Sequence, residues 1–213
     1  MSNIKLVHSG GNSVSLTTPD SNPAANRTFK LPGADGSAGQ ALVTDGSGAL
    51  SFAGTGKILQ IKQSIKTDTQ SFSTGSSTLA DSFFDITGLS VTLTPASGTK
   101  CFVSYSVNVG GQAGYGQGIA LFRDSTQVFR GPASGSRVRL SNFVQTHENN
   151  QIDVLSNQFL DTHGANGSTA VTYKLQMYVA TPGWTTRINR GQTWSDSRAF
   201  GSIISQITVM EVA

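Results

Sequence analysis

The densest set of recognition-type side chains lies between Trp184 and Arg198. Trp184 and Trp194 bracket Arg187, Asn189 and Arg190, and Arg198 follows, all among Gly, Ser and Thr. An indole face beside amides and guanidinium groups suits the rings and hydroxyls of a sugar. Trp184, Trp194 and Arg198 are therefore the candidate receptor-binding residues. The commoner fate of such tryptophans is to pack a loop onto the domain or onto a neighbouring subunit.

Nothing comparable points to catalysis. The three histidines are His8, His147 and His163. His147-Glu148 lacks the following x-x-His of a zinc helix. Asp161 and His163 stand two apart in a Gly-rich stretch, a spacing open to a loop metal ion but more often that of a solvated loop. No G-x-S-x-G elbow precedes a helix. Gly110-Gly111-Gln112-Ala113-Gly114 opens no helix, so it reads as a flexible loop and not as a phosphate cradle. Carboxylate pairs for glycoside hydrolysis stay open, because separation in sequence does not set separation in space. Cys101, the only cysteine, alternates with Val103, Tyr105, Val107 and Val109 and reads as a buried structural thiol. The expectation is a protein that is not an enzyme, with no cofactor and no metal.

Composition agrees with a β-rich structural protein. Charged residues make up 13% of the 213 residues, against about 25% in ordinary globular chains. Glycine is frequent, at 24 residues, which suits short strands joined by tight turns. The net charge of +3 belongs wholly to residues 57–213, where 12 basic side chains face 9 acidic ones. They are scattered, without the clustered Lys/Arg and interleaved aromatics of a nucleic-acid surface. The polar start, Met1 to Ser13, lacks the form of a secretory leader. No run of 18 apolar residues is present to span a membrane.

The chain changes character near Gly54–Gly56. Before that point, short strands are expected at Val14–Leu16, Thr28–Leu31, Ala41–Val43 and Leu50–Phe52. Pro32-Gly33, Asp35-Gly36 and Asp45-Gly46 supply turns between them. Residues 1–56 hold too few apolar side chains for a core of their own, so wrapping of three copies around a shared one is favoured over a loose tail. From residue 57 the strands lengthen. Leu89–Leu93 and Val171–Val179 alternate strictly, and further strands are expected at Ile119–Arg123, Val128–Arg130, Val138–Val144, Ile152–Leu160, Thr185–Asn189 and Ile203–Val212. This pattern predicts an antiparallel sandwich. The last strand is apolar twice over. Ile207 and Val209 lie on one side, and Ile204, Met210 and Val212 on the other. A half-exposed strand is polar at alternate positions, so the second face calls for a partner chain.

The stretch from His8 to Phe52, with its Pro32-Gly33-Ala34-Asp35-Gly36 turn and the repeated Asp-Gly-Ser at 35–37 and 45–47, resembles the N-terminal module of fibre and other virion structural proteins of tailed bacteriophages, particularly marine and cyanobacterial ones. Ile188-Asn189-Arg190, then Gly201-Ser202-Ile203 and Gln206-Ile207-Thr208-Val209-Met210-Glu211, resembles their C-terminal domain. The resemblance implies a jelly roll similar to the tumour necrosis factor and complement families, with three copies around a threefold axis. The expected fold is thus an all-β antiparallel jelly-roll sandwich, 57–213, preceded by a short extended β segment, 1–56, in an intertwined homotrimer. Ile204, Met210 and Val212 are the candidate trimer interface.

The implied function is a virion protein made in the host cytoplasm: a short trimeric tail fibre whose knob contacts a host surface glycan. Residues 1–56 would anchor it to other virion proteins or form a stalk. The second reading is a capsid-decorating cement or head-fibre trimer that stabilises the shell. A polysaccharide-cleaving enzyme ranks third, for want of a long β-helical repeat. A secreted cytokine-like ligand ranks fourth. Specificity would lie in loops, expected at Thr67–Thr78, Gly110–Gly118, Thr162–Ser168 and Gly191–Ser202.

Overall fold

Period-two alternation becomes strand wherever it was strong. A computed structural model describes residues 4–16, 19–21, 23–54, 57–73 and 83–213. Among them it shows fifteen strands and no helix. The chain divides into two compact units, Met1–Thr55 and Gly56–Ala213.

The first unit holds two hairpins. β1 (Ile4–Val7) pairs antiparallel with β2 (Ser13–Leu16), and β3 (Gln40–Thr44) with β4 (Leu50–Gly54). The second hairpin turns on Asp45-Gly46: the Asp45 carboxylate accepts the Ser47 and Ala49 N–H groups, and Gly46 takes a positive φ of 83°. β1 was not foreseen. The expected strand at Thr28–Leu31 is reduced to one parallel bridge, Lys30 to Ala49, because Pro32 next in line offers no N–H to extend a ladder. No described residue of this unit is buried. Ile4, Leu6, Leu16, Phe29 and Leu31 each expose 65–71% of their surface.

The second unit is a two-layer sandwich. One sheet places β5 (Ile58–Lys66) beside β15 (Ser205–Val212), β15 beside β8 (Lys100–Gly110), and β8 beside β12 (Ile152–Asp161). At its far end β14 (Thr185–Ile188) also pairs with β8, and β6 (Gln70–Ser73) lies outside β14. The other sheet orders β7 (Phe83–Leu93), β13 (Val171–Val179) and β9 (Tyr115–Arg123), with β10 (Thr126–Val128) and β11 (Asn142–Thr146) sharing the outer edge of β9. All pairs are antiparallel. From β7 onward the chain crosses repeatedly from one sheet to the other, the connectivity of a jelly roll. The core lies between the layers. Leu89, Val91 and Leu93 from β7 and Tyr173, Leu175 and Met177 from β13 meet Val103, Val107, Ile207 and Val209 from the first sheet.

Four expected boundaries shift. The loop Gly110–Gly118 shrinks to residues 111–114, because β9 begins at Tyr115. Its glycines have packing roles: a side chain at Gly116 would strike the Phe143 ring, and one at Gly118 the Leu140 side chain. The strand expected at Val128–Arg130 ends at Val128, since Phe129 adopts φ 45°. The strand expected at Val138–Val144 begins only at Asn142. The first half of the expected Thr67–Thr78 loop contains β6, and residues 74–78 lie outside the described residues.

β14 and β15 are one strand interrupted by an excursion. Ile188 pairs with Val109 and Gln206 with Ser106. Between them Asn189 donates its N–H to the Asn108 carbonyl, and the Asn108 N–H reaches the Ser205 hydroxyl. Residues 190–204 leave and re-enter between two adjacent ladder positions. Buried Asn189 closes the splice. Its amide donates to the Lys66 and Asp68 carbonyls, both at 2.9 Å, and its Oδ1 accepts the Ser205 hydroxyl at 2.6 Å. Its φ of 62° suits Asn better than most residues. Asn189→Ala should therefore destabilise the unit by about 3 kcal/mol, since it strands buried partners and keeps the left-handed backbone. Asn189→Gly, which relieves φ, should cost measurably less. Denaturant melts of both variants test the order.

Candidate functional site

Two features of the first sheet stand out, one at each end. Along β15, Ser205, Ile207, Val209 and Glu211 are buried, whereas Gln206, Thr208, Met210 and Val212 are half-buried and face away from the core. Register sets Met210 opposite Ile61 of β5 and Phe102 of β8, and Phe102 opposite Leu160 of β12. An apolar row thus crosses four strands on the outer face. Ile61 is 57% and Leu160 48% exposed. Val212 pairs with Ile58 across a bulge and extends the row at the chain-terminal end. The next row inward, Gln63, Thr208, Ser104 and Gln158, is polar. No Asp or Glu alternates onto this face: Asp153, Asp161 and Glu211 all point inward.

Of the candidate interface residues, Met210 and Val212 lie in or beside the row, and Ile204 is exposed just before β15. Phe102 and Leu160 join them unforeseen. Each occupies the off-beat of a strand whose on-beat residues form the core, a signal present in the sequence but meaningful only with the register.

At the other end, residues 190–193 form a strap over the same face. A side chain at Gly110 would overlap the Arg190 carbonyl and the Gly191 Cα. Beyond Gly110 the strap reaches the β11–β12 turn, where the Thr193 N–H donates to the Asn149 carbonyl. Arg187, on the outward beat of β14, lies opposite Gly110 and Ser71. Arg190 Nη2 donates to the Ser71 hydroxyl at 3.2 Å, and its guanidinium carbon lies 6.0 Å from the centre of the Trp194 ring, within cation–π range. The Nε–H groups of Arg187 and Arg190 and the Oε1 of Gln192 are sealed from solvent without a partner among the described residues. Burial, reinforced by the Arg190 charge, lowers the Arg187 pKa from its ordinary value.

The three receptor candidates separate. Trp194 is 43% exposed beside Arg190. Trp184 stacks on Tyr115, ring centres 3.9 Å apart at 24°, so one of its faces is occupied in packing. Arg198 is exposed in the far half of the excursion. Arg187, Arg190 and Gln192 belong with Trp194 at this corner.

Asp161 and His163 turn to different partners. Asp161 ends β12 on the inward beat, where its Oδ2 accepts from Arg123 at 2.7 Å and from the Tyr173 hydroxyl at 2.6 Å. His163 Nδ1 accepts the Ala165 N–H, and its Nε2 meets the Thr99 hydroxyl at 3.3 Å. Both side chains are engaged in internal bonds, and no cluster of three or more ligand-type side chains occurs among the described residues. Cys101 is fully buried, and burial pushes its thiol pKa up.

The chain matches no protein-family model and no curated protein.

The strap depends on an absent side chain. Gly110→Ala should lift it and cost about 2 kcal/mol through overlap with backbone, with a shift in tryptophan fluorescence. Gly131→Ala, where the nearest atom lies 4.0 Å from an added Cβ, should change neither.

Proposed function

We propose that the chain is a self-assembling virion structural protein: a short homotrimeric tail fibre with Gly56–Ala213 as its host-facing knob. One observation carries the assembly reading, the unpartnered apolar row Ile61, Met210, Phe102 and Leu160. An antiparallel sheet with one face in water carries polar side chains there, and contiguous exposed apolar patches mark interaction sites. A row of one self-complementary kind, on a face where no described strand residue is a carboxylate, fits other copies of the same face. The first unit supports the same reading, because Ile4, Leu6, Phe29 and Leu31 are exposed and no described residue of that unit is buried. The virion assignment rests on the resemblance of His8–Phe52 and of Ile188–Glu211 to phage fibre proteins.

Light scattering of the purified chain should give three chains per particle, and a monomer at micromolar concentration overturns the reading. Met210→Asp and Ile61→Asp should each dissociate the particle, since an unpaired charge in a dry contact costs several kcal/mol. The second unit should stay folded in both, because neither residue faces its core. Gold-labelled antibody on intact particles then separates tail from shell: label on the head favours the capsid-decorating trimer.

A peptide of residues 1–55 should lack stable β structure by circular dichroism. Two short hairpins without a buried residue do not offset the chain entropy of ordering them.

A further inference from the structure

The corner around Arg187 and Trp194 keeps its charges unmatched. The ion pairs among the described residues are Lys66–Asp68, Arg123–Asp161 and Lys174–Asp85. Neither Arg187 nor Arg190 takes part in one. Each leaves a sealed Nε–H unpaired, and they lie close enough for the charge of one to weigh on the other. Buried donors without partners are costly, and native structures keep few of them. The two half-buried arginines share Ser71, which pairs with Arg187 across the ladder and accepts from Arg190 Nη2; with neither in an ion pair among the described residues, they suit an oxyanion that meets their Nη groups and leaves the sealed Nε–H groups to the interior.

The surroundings of this pair suit more than a bare ion. Trp194 leaves ring surface open beside Arg190, and an exposed indole next to hydrogen-bonding groups suits the apolar face of a sugar ring. The position is also suitable. The chain enters the second unit at Lys57, whose carbonyl accepts the N–H of Ala213. Val212, next to that terminus, pairs with Lys100 at the start of β8, while Arg187 pairs with Gly110 at its end. Ten residues of strand, about 33 Å, separate the corner from the point where the first unit is attached.

We infer that Arg187 and Arg190, together with Trp194 on the strap, form a binding site for an acidic saccharide. The carboxylate or phosphate of the sugar sits on the two guanidinium groups, and its ring lies against Trp194. That the sugar comes from a host surface rests on the tail-fibre reading; the binding chemistry does not.

Calorimetric titration of the full chain tests the site. The probes are an oligogalacturonate and mannose 6-phosphate, each against its neutral counterpart (a galactose oligomer, mannose), and inorganic phosphate. At least one acidic sugar should bind saturably, at least tenfold tighter than its neutral counterpart and than inorganic phosphate. Which one binds distinguishes carboxylate from phosphate. Arg190→Gln and Trp194→Ala should each weaken that binding at least tenfold with particle mass and melting temperature unchanged. Arg187→Gln serves as the second arginine variant if it melts normally.

The inference is overturned if neither acidic sugar binds, if inorganic phosphate binds as tightly as the sugars, or if Arg190→Gln leaves binding intact. Dissociation of the particle by Arg190→Gln also overturns it, by placing the arginines in a subunit contact. A trimer that binds no acidic sugar sinks this inference alone, whereas a monomer sinks the assembly reading and leaves the titration to stand by itself.

Discussion

β15 is hydrogen-bonded along both edges, to β5 and to β8, so its side chains have only two destinations. One is the core between the sheets, filled by Ile207 and Val209. The other is the outer face of its own sheet. Because a strand alternates strictly, Met210 and Val212 cannot join Ile207 and Val209 without flipping the whole strand. The neighbours are held to the same rule by their ladders, and Phe102, Leu160 and Ile61 are carried outward with Met210. The apolar row is therefore the unavoidable other side of a well-packed core.

The same strand tolerates a fifteen-residue interruption without loss of register. That is possible because the splice is chemical and not geometric luck: Asn189 bonds both to Ser205, where the chain returns, and to the carbonyls of Lys66 and Asp68 on the adjacent edge. The sheet is thus insulated from the sequence of residues 190–204. A loop closed at its base in this way can carry an exposed tryptophan, an arginine outside any ion pair of the described residues and many hydroxyls while the ladder beneath stays intact. Scaffold and excursion are separated within two bonded residues, an arrangement that leaves a loop free to vary.

The polar groups inside the sandwich have a different purpose. Asp161 is almost fully buried between Arg123 and Tyr173, and burial together with Asp161 pushes the Tyr173 hydroxyl pKa up, so it remains a donor. Glu211, at the other edge, is stabilised differently. Burial would raise its pKa, but bonds from Gln60, the Ala96 N–H and Thr99 outweigh that and hold it below the usual carboxylate range. Both acids anchor strand ends to neighbouring turns. Side chains that suggested a metal loop are in this way used up in closing the sandwich, with His163 joined to Thr99 at its margin.

The sequence by itself determined what local alternation can determine. The strict beat of Val171–Val179 and of Cys101–Val109 named both the strands and the residues they bury. The Asp45-Gly46 pair named its turn, and the two apolar faces of Ile204–Val212 named a surface needing cover. These are short-range facts, set by side-chain direction and backbone φ within a few residues. Only the tertiary structure decided which off-beat residues meet. Phe102, Leu160, Ile61 and Met210 are scattered over 150 residues and become one row through three inter-strand registers that no local pattern encodes. The same holds for the corner at the other end. Arg187 and Ser71 are neighbours because β14 pairs with β6, Gly110 lies beneath Arg190 because the strap crosses β8, and Trp184 is drawn away to Tyr115. Pairing in a sheet is a long-range choice, made by the whole core at once, and it is that choice which sorts equivalent-looking tryptophans into packed and exposed ones.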